Sequence, residues 1–512
     1  MDIPERFNLA DYFVDRNLAM GRGERTALLT DRGATTYAEL AALTNRVGNI
    51  LLELGARRGE RVLLALSDGV EFVATWYAAQ KIGAVTAEVY TFLQAKDYRY
   101  FLDYTDPSVV IADAVTLDRL READLSDRRV LVVGGVDDLR DNEYDFTTLV
   151  DQAPDTLDAA PTGRDDIAIW KFTTGSTGAP KACVHTAVSA MVSHECYGRG
   201  VLDIGADDIV LPVPKLFFGY ARDLAALYPF GVGGAGIAFA ERTTVERIFE
   251  LIARHRPTIL VNVPTMMSAM VAHPDAAAQD LSSLRLCTSA GEALPAELHR
   301  KWDKAFGVEV VDGIGSSEAY HIYISNRPGS ARQGSCGQVV PGYEARVVDD
   351  SGAEATDGEV GTLEVTGDTV AREYWQDKEK SAATYRGRTV HTGDLFSRDA
   401  DGFFYYHGRA DDLLKSGGIW VAPSEIEHCL IGHADVVECG VAGYEVDGLV
   451  RPRAYVVLRN GVSGSDELTA ALREYVRARL AGHKSPHDIR FVDALPRTTN
   501  GKLDRRALRT LS

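Results

Sequence analysis

Long apolar runs are missing from this chain. No stretch approaches the roughly 18 uninterrupted apolar residues that a membrane-spanning helix needs, so no membrane partner is expected. The opening residues, Met1 to Phe13, carry neither a basic cluster nor an apolar block, so no secretory signal is expected. Cysteine is sparse: six thiols at 183, 196, 287, 336, 429 and 439, with no C-x-x-C pair and no histidine-rich neighbour. That excludes a disulfide framework and a structural zinc site, and it points to a reduced, cytoplasmic setting. A cationic excess is also missing, since 55 Lys and Arg face 74 Asp and Glu for a formal charge of −19. Nucleic acid is therefore excluded as a partner, because phosphate backbones are held by basic surfaces. A small anionic substrate is not excluded, because it senses only local charge.

What is present is a length of 512 residues with 45% apolar content, too long for one core, so two or more domains are expected. Strand and helix patterns alternate through the first two thirds. Thr36 and Glu39 form a capping-box signature ahead of Leu40, Leu43, Val47, Ile50 and Leu54 at helical spacing. Val70 to Ile82 reads as a second helix, closed by Gly83. Short apolar strands are expected at Val62–Leu66, Val109–Ala112, Val130–Val133, Ile259–Val263, Leu284–Ser289 and Val308–Asp312. This alternation predicts an α/β fold with doubly wound parallel sheets. From Gly337 to Tyr406, short strands between Gly and Asp turns predict a small β-rich lobe. Beyond Arg409 a compact α+β segment follows, with strands near Val436–Val441 and Ala454–Leu458 and a helix over Asp466–Leu480. Gly231 to Gly236 fits G-x-G-x-x-G by the letter. No strand–helix frame surrounds it, so a close-packed turn is expected there rather than a dinucleotide site.

The stretch Lys171 to His185, KFTTGSTGAPKACVH, carries the strongest chemical signal. An apolar strand (Ile167, Ala168, Ile169, Trp170, Phe172) leads into Thr173, Thr174, Gly175, Ser176, Thr177, Gly178 and, after Ala179-Pro180, Lys181. Glycines let backbone N–H groups turn inward, hydroxyls add donors and the lysine adds a point charge, which suits a polyphosphate. The P-loop pattern GxxxxGK[ST] cannot be laid over it. Downstream come Ser289-Ala290-Gly291-Glu292-Ala293-Leu294-Pro295, Asp312-Gly313-Ile314-Gly315-Ser316-Ser317-Glu318, His391-Thr392-Gly393-Asp394, Tyr406-His407-Gly408-Arg409-Ala410-Asp411, Leu414-Lys415-Ser416-Gly417-Gly418, and Leu495-Pro496-Arg497-Thr498-Thr499-Asn500-Gly501-Lys502. The first two follow apolar strands, and a small-residue turn at the end of such a strand is where open α/β sheets hold ligands.

In that order these seven motifs resemble the adenylate-forming superfamily of acyl- and aryl-CoA synthetases, nonribosomal-peptide adenylation domains and luciferases, over nearly the whole chain. The resemblance implies a large N-terminal adenylation domain over 1–410 and a mobile C-terminal domain over 411–512, with a hinge at Asp411. It implies ATP, Mg²⁺ and CoA as reactants and cofactor. The phosphate loop from Thr173 to Gly178, with Lys181, would embrace the phosphates. Gly291, Glu292 and Ala293 would pass along adenine with Asp312, Gly313, Ile314 and Gly315; Ile314 stands where many members place an aromatic ring. Ser317 would touch the α-phosphate and Glu318 would hold Mg²⁺. Asp394 would take the ribose hydroxyls and Arg409 the ribose or phosphate. Lys415, Gly417 and Gly418 would serve the thioester step, and Lys502 would stabilise charge during adenylation.

Lys215-Leu216-Phe217-Phe218-Gly219-Tyr220 and Gly315 to His321 are most similar to benzoate-CoA and related aryl-CoA ligases. The implied acid pocket is Phe218, Gly219, Tyr220, Gly315 and His321, a flat aromatic-walled slot suited to a ring. One of Phe217 and Phe218 is expected in the core. Many such ligases read Phe-Ala-Tyr-Gly-Leu-Gly-Asn where this chain reads Phe218-Gly219-Tyr220-Ala221-Arg222-Asp223. Gly219 is therefore expected to enlarge the slot by about one methyl group, worth roughly 1–3 kcal/mol in discrimination. Arg222 and Asp223 are expected at the pocket mouth, paired with each other at the surface or with Arg222 meeting a polar substituent. The expected activity is conversion of a substituted benzoate or arylacrylate to its adenylate and then to aryl-CoA. Two alternatives remain open at this point: delivery to a carrier-protein thiol or a nitrogen nucleophile (amine or nitrite), and a non-catalytic nucleotide-binding homologue. Family habit implies a monomer or homodimer.

Overall fold

The computed structural model describes residues 3–173, 179–349, 351–416, 419–446, 449–459, 461–497 and 503–511. Two large sheets dominate. The first orders its seven strands Glu143–Asp145, Arg129–Val133, Val109–Asp113, Arg61–Ala65, Val85–Glu88, Ile167–Thr173 and Lys181–Thr186. All neighbours are parallel except the last pair, which returns antiparallel from the phosphate-loop motif. The second has nine strands, with a parallel centre running from Val310–Gly315 through Leu286–Ser289, Ile259–Asn262, Ile209–Pro212 and Ala235–Ile237 to Thr26–Thr30.

Period-two alternation decides which face each strand residue serves. Val62, Leu64, Val109 and Ile111 enter a central core between the two sheets, while Leu63, Ala65, Val110 and Ala112 pack on the outer face. The second sheet repeats this: Val210, Ile259 and Val261 face the centre, and Leu211, Leu260 and Cys287 face outward. Strands buried on both faces are what a parallel sheet requires. Thr36 and Glu39 make the full capping box in front of helix Tyr37–Glu53.

The β-rich lobe is a five-stranded antiparallel sheet from Tyr343 to Arg409, whose Val347, Leu363, Val365 and Phe396 join the central core. The small C-terminal part has a separate core, with Ile426, Leu430, Val441, Ala454, Val456, Leu472 and Val476 at its centre. Its three-stranded sheet joins Val436–Val446, Leu449–Leu458 and Asp488–Phe491. The glycine run at 231–236 is the close-packed turn expected. It ends helix Tyr228–Val232 and starts strand Ala235–Ile237, and a Cβ on Gly236 would lie 1.9 Å from the Ala225 carbonyl oxygen. All six cysteines are free; five are buried and Cys429 is half-buried. No helix among the described residues is long and apolar enough to cross a membrane.

Candidate active site

Three of the motifs lie at the C-terminal ends of strands: Ile167–Thr173 in the first sheet, and the neighbours Leu286–Ser289 and Val310–Gly315 in the second. Strand Ile167–Thr173 delivers Thr173 and leads to the loop; Thr174, Gly175, Ser176, Thr177 and Gly178 lie outside the described residues. The returning strand begins at Lys181, whose Nζ is 2.7 Å from Asp377 Oδ2 and 5.6 Å from the Tyr374 ring centroid. The Tyr374 hydroxyl donates to Glu318 Oε1 at 2.7 Å, so Lys181 and Glu318 meet around one tyrosine. Glu318 stands in the short turn Ser317–Ala319, capped by Ser316 Oγ. His185 Nε2 donates to the Ser317 carbonyl at 2.7 Å, and burial holds this imidazole neutral, down to about 3. A buried, uncharged donor thus fixes the backbone that presents Ser317 and Glu318.

The Ser289–Pro295 turn follows strand Leu286–Ser289, with Gly291 at φ +87°. Glu292 is anchored there, accepting from Thr265 N at 3.1 Å and Thr265 Oγ1 at 2.6 Å. Asp312 pairs in register with Ser289, and burial pushes its carboxyl up to about 8. Ile314 is half-buried. A Cβ on Gly315 would come 2.3 Å from the His321 carbonyl oxygen, so only glycine allows the tight antiparallel return there. In the lobe, Asp394 and Arg409 are register partners, with Arg409 Nη1 3.3 Å from Asp394 Oδ1 and 3.1 Å from the Thr392 carbonyl.

The C-terminal part reaches this turn through Arg497, which lies 3.4 Å from Glu292 Oε1 and 2.9 Å from Glu438 Oε2. Arg497 and Leu503 form an antiparallel bridge; Lys502, between them, lies outside the described residues, as do Gly417 and Gly418. Lys415 is on strand Leu414–Ser416. Asp411 is exposed in the turn Ala410–Asp412. Arg505, a residue beyond the last motif recognised in the sequence, fastens that turn. It holds Asp412 at 3.2 Å and Glu427 at 2.8 Å, and donates to the Val441 carbonyl at 3.1 Å.

On the acid side, helix Gly219–Ala226 follows Phe218. Tyr220 is joined to Thr288 Oγ1 at 2.7 Å, and its carbonyl accepts from His321 Nε2 at 3.3 Å. The His321 ring packs against Tyr197, Tyr220 and Tyr228 with centroids 5.2–5.6 Å away, and burial keeps it neutral, down to about 3. Phe217 is core, as expected for one of the pair. Phe218 is half-buried beside it, against Phe217 at 4.8 Å and Tyr90 at 5.3 Å.

Two expectations fail here. Arg222 and Asp223 do pair, with Asp223 Oδ1 3.0 and 2.8 Å from Arg222 Nε and Nη2, but they are buried, at 1% and 0% exposure, not at the surface. The reason is a network of buried opposite charges: Arg222 also binds Glu88 at 2.6 Å, the Trp76 indole N–H donates to the same Glu88 oxygen, and Asp223 Oδ2 takes Lys171 at 2.5 Å. Nor does Gly219 leave an empty methyl-sized space. A Cβ there would lie 2.6 Å from Lys171 Nζ, so the lysine occupies it. The sequence reading gave Lys171 no part in this network; its signal there is a lone cation inside the apolar strand I-A-I-W-K-F. Its ammonium also donates to the Tyr320 carbonyl at 2.6 Å and lies 3.5 Å from that ring's centroid. Burial outweighs Asp223 and pulls it down to about 8.

Parallel strands leading to a hydroxyl- and glycine-rich sequence, a carboxylate–tyrosine–lysine cluster, a set of packed aromatic rings and a small C-terminal domain fit an adenylate-forming ligase fold. The chain belongs to the AMP-binding enzyme family: that family's model matches residues 15–375 and the model of its C-terminal domain matches 425–502. Its similarity is to the benzoate and other aryl-CoA ligases of the family. It is 39% identical to a benzoate–CoA ligase of Thauera aromatica, across 99% of this chain and 97% of the relative. The crystal structure of the anthranilate CoA ligase AuaEII in complex with anthranoyl-AMP superimposes with a TM-score of 0.95 at 36% identity, covering 99% of this chain and 98% of that one. A benzoate CoA ligase from Burkholderia xenovorans LB400 superimposes with a TM-score of 0.91 at 38% identity, covering 98% and 100%.

Proposed function

We propose that this protein joins an aromatic carboxylic acid to CoA in two steps at the expense of ATP. In the first, a carboxylate oxygen attacks the α-phosphorus and the bond to pyrophosphate breaks, giving an acyl-adenylate. In the second, a thiol attacks the acyl carbon and AMP leaves. The observation that carries this reading is the adjacency of two surfaces. The Tyr220–His321–Gly315 wall, fit for a planar ring, lies beside the turn presenting Ser317 and Glu318. Lys181 is joined to that turn through Tyr374.

In this reading residues 1–410 bind acid and nucleotide, and 411–512 turn about Asp411 between the steps, so that one site serves both chemistries. Lys502 and the 173–178 loop stabilise charge at the α-phosphate, Asp394 and Arg409 hold the ribose, and the turn at 291–293 runs along adenine. Mg²⁺ fits the donor set. Glu318 is one carboxylate whose Oε1 is oriented by Tyr374, and no cluster of three or more His, Cys, Asp or Glu residues suited to a metal occurs among the described residues. Mg²⁺ is commonly held by one or two carboxylates together with phosphate oxygens, whose charge it neutralises. Six free thiols suit a reduced cytoplasm.

AMP and pyrophosphate release would be measured across a panel of aromatic acids, with and without CoA. CoA-dependent AMP release with an aryl acid is the expected result. Pyrophosphate release indifferent to CoA would redirect the second step to a carrier-protein thiol or a nitrogen nucleophile, and nucleotide binding without turnover would leave a non-catalytic homologue.

A further inference from the structure

Tyr320 has φ +74° and ψ −55°, and across it the His321 N–H donates to the Ala319 carbonyl at 3.0 Å. This is a γ-turn of the rare, strained hand, which an L residue keeps only when its surroundings hold it there. Six non-glycine residues among those described have positive φ; three are aspartates, a type that tolerates the left-handed region, and Tyr320 is the one aromatic. Nothing in Ala319-Tyr320-His321 favours the turn locally, so its cause lies in contacts from elsewhere in the chain.

Three buried side chains supply them. Lys171 Nζ donates to the Tyr320 carbonyl at 2.6 Å and lies 3.5 Å from the centroid of the same residue's ring, so one ammonium grips both backbone and side chain. Thr369 Oγ1 donates to the Ala319 carbonyl at 2.8 Å. His185 meets the Tyr320 ring edge-on at 5.2 Å while its Nε2 donates to the Ser317 carbonyl. The strongest of these contacts are a charge-assisted hydrogen bond and a desolvated cation–π contact, and both come from Lys171. Asp223 aims the ammonium from 2.5 Å and is itself held by Arg222.

The turn stands between the two proposed surfaces of the site. Ser317 and Glu318 precede it and His321 follows it, so the backbone rotation at Tyr320 fixes the His321 ring relative to the Glu318 carboxylate. A Tyr320 relaxed to negative φ would swing one past the other, and reacting groups displaced by about 1 Å can lose about 10²-fold in rate.

We propose that Lys171 is a positioning residue for adenylation: by clamping Tyr320 in its strained turn, it sets the aromatic wall at His321 in register with Ser317 and Glu318. This rests on the reading of those two surfaces as the acid and phosphate sides. The ammonium grips Tyr320 and Asp223, so its effect falls on alignment rather than on affinity.

The test is ATP–pyrophosphate exchange by the full-length protein, with saturating ATP and the aromatic acid that wild type uses fastest, for Lys171→Met, Tyr320→Gly, the double variant and Thr369→Val. Lys171→Met should lower kcat by about 10–100-fold while KM for the acid and for ATP changes by less than about threefold. Glycine takes the same turn without strain, so with Tyr320→Gly in place the further change Lys171→Met should cost no more than about threefold. A lysine needed only to balance buried charge would cost the same in both backgrounds. Thr369→Val removes a second bond to the turn and no charge; it should lower kcat by about 2–10-fold, and it decides the matter if Lys171→Met does not fold. An equal loss in both backgrounds, a loss confined to KM, or a kcat unmoved in folded Lys171→Met (or, failing that variant, in Thr369→Val) would overturn the inference while leaving the aryl-acid reading standing. Absence of exchange by wild type with every aromatic acid would overturn both.

Discussion

The two sides of the site are built by opposite means. The proposed nucleotide side is made of backbone turns and polar side chains: glycines at 291, 313 and 315, the Asp394–Arg409 pair, and Lys181 against Asp377. The proposed acid side is made of packed side chains beside four buried charges that neutralise one another. A polyphosphate brings its own charge and needs donors that can approach it closely, which glycine-rich turns supply. A ring brings little charge and is selected by the shape and polarity of a dry wall, which only a fixed core can hold. Chemistry common to a family can thus reside in local motifs, while selectivity resides in contacts between residues far apart in the chain.

The largest expected effect tests the rigidity of the acid side. Arg222→Met leaves Glu88 without its cation and Asp223 with Lys171 alone, and should lower unfolding stability by about 3–5 kcal/mol in denaturant melts. Adding Glu88→Gln should recover part of that loss. A single variant within about 0.5 kcal/mol of wild type would show that the network is not a structural unit.

Next in size is the nucleotide side's charge. In line with the proposed division of labour, Lys502→Ala should slow adenylation by about 10²–10³-fold while sparing thioester formation from supplied acyl-adenylate. Rapid-quench assays of both half-reactions read this directly, and equal losses would remove the division.

Smaller again, the two sides should tilt stability in opposite directions with pH. His321 is held at about 3, below the ordinary 6.5, so the unfolded chain takes up a proton on acidification that the folded chain refuses; stability is lost as pH falls from 6.5 toward 3. Asp312 is held at about 8, above the ordinary 3.8, so the folded chain keeps a proton that the unfolded chain releases. Its contribution is full below 3.8 and is lost as pH rises through 8. Between pH 4 and 6, Asp312→Asn should therefore make acid destabilisation steeper by about 1.4 kcal/mol per pH unit, and His321→Gln shallower by about the same amount. Tilts of the same sign in the two variants would contradict the assignment.

The smallest effect belongs to the junction with the C-terminal part. Arg497→Gln should cost under about 1 kcal/mol in stability, since its ion pairs are partly exposed. It should nevertheless change the ratio of the two half-reaction rates, because the same pairs fasten the segment carrying Lys502 to the Glu292 turn. Stopped-flow comparison of the two steps would detect it.

Legibility in the sequence followed the same division. The alternation of Val62–Ala65 and Val109–Ala112, the Thr36 cap and the turn at 231–236 could be read in advance, because period and capping are local properties. The family could be read from its turn motifs because turn chemistry is written in consecutive residues. Strand ends moved by up to five residues: the strand expected at Val308–Asp312 runs Val310–Gly315, and the one expected near Val436–Val441 runs on to Val446. The acid side was misjudged because Glu88, Lys171 and Arg222 are separated by scores of residues. Adjacent Arg and Asp read as a solvated pair until the fold supplies a second acid and a second cation. Arg505 escaped for the same reason, its partners Asp412 and Glu427 lying far upstream.

The cysteines acquire a different meaning beside the proposed chemistry. A mixed anhydride waiting for a thiol is exposed to any thiol, including the protein's own. Burial raises all six thiols above their ordinary range, five of them out of solvent's reach, so little thiolate exists anywhere in the fold at neutral pH. The activated acyl group therefore meets almost no competing sulfur until its proper acceptor arrives, and the protein is guarded against acylating itself by where it keeps its cysteines.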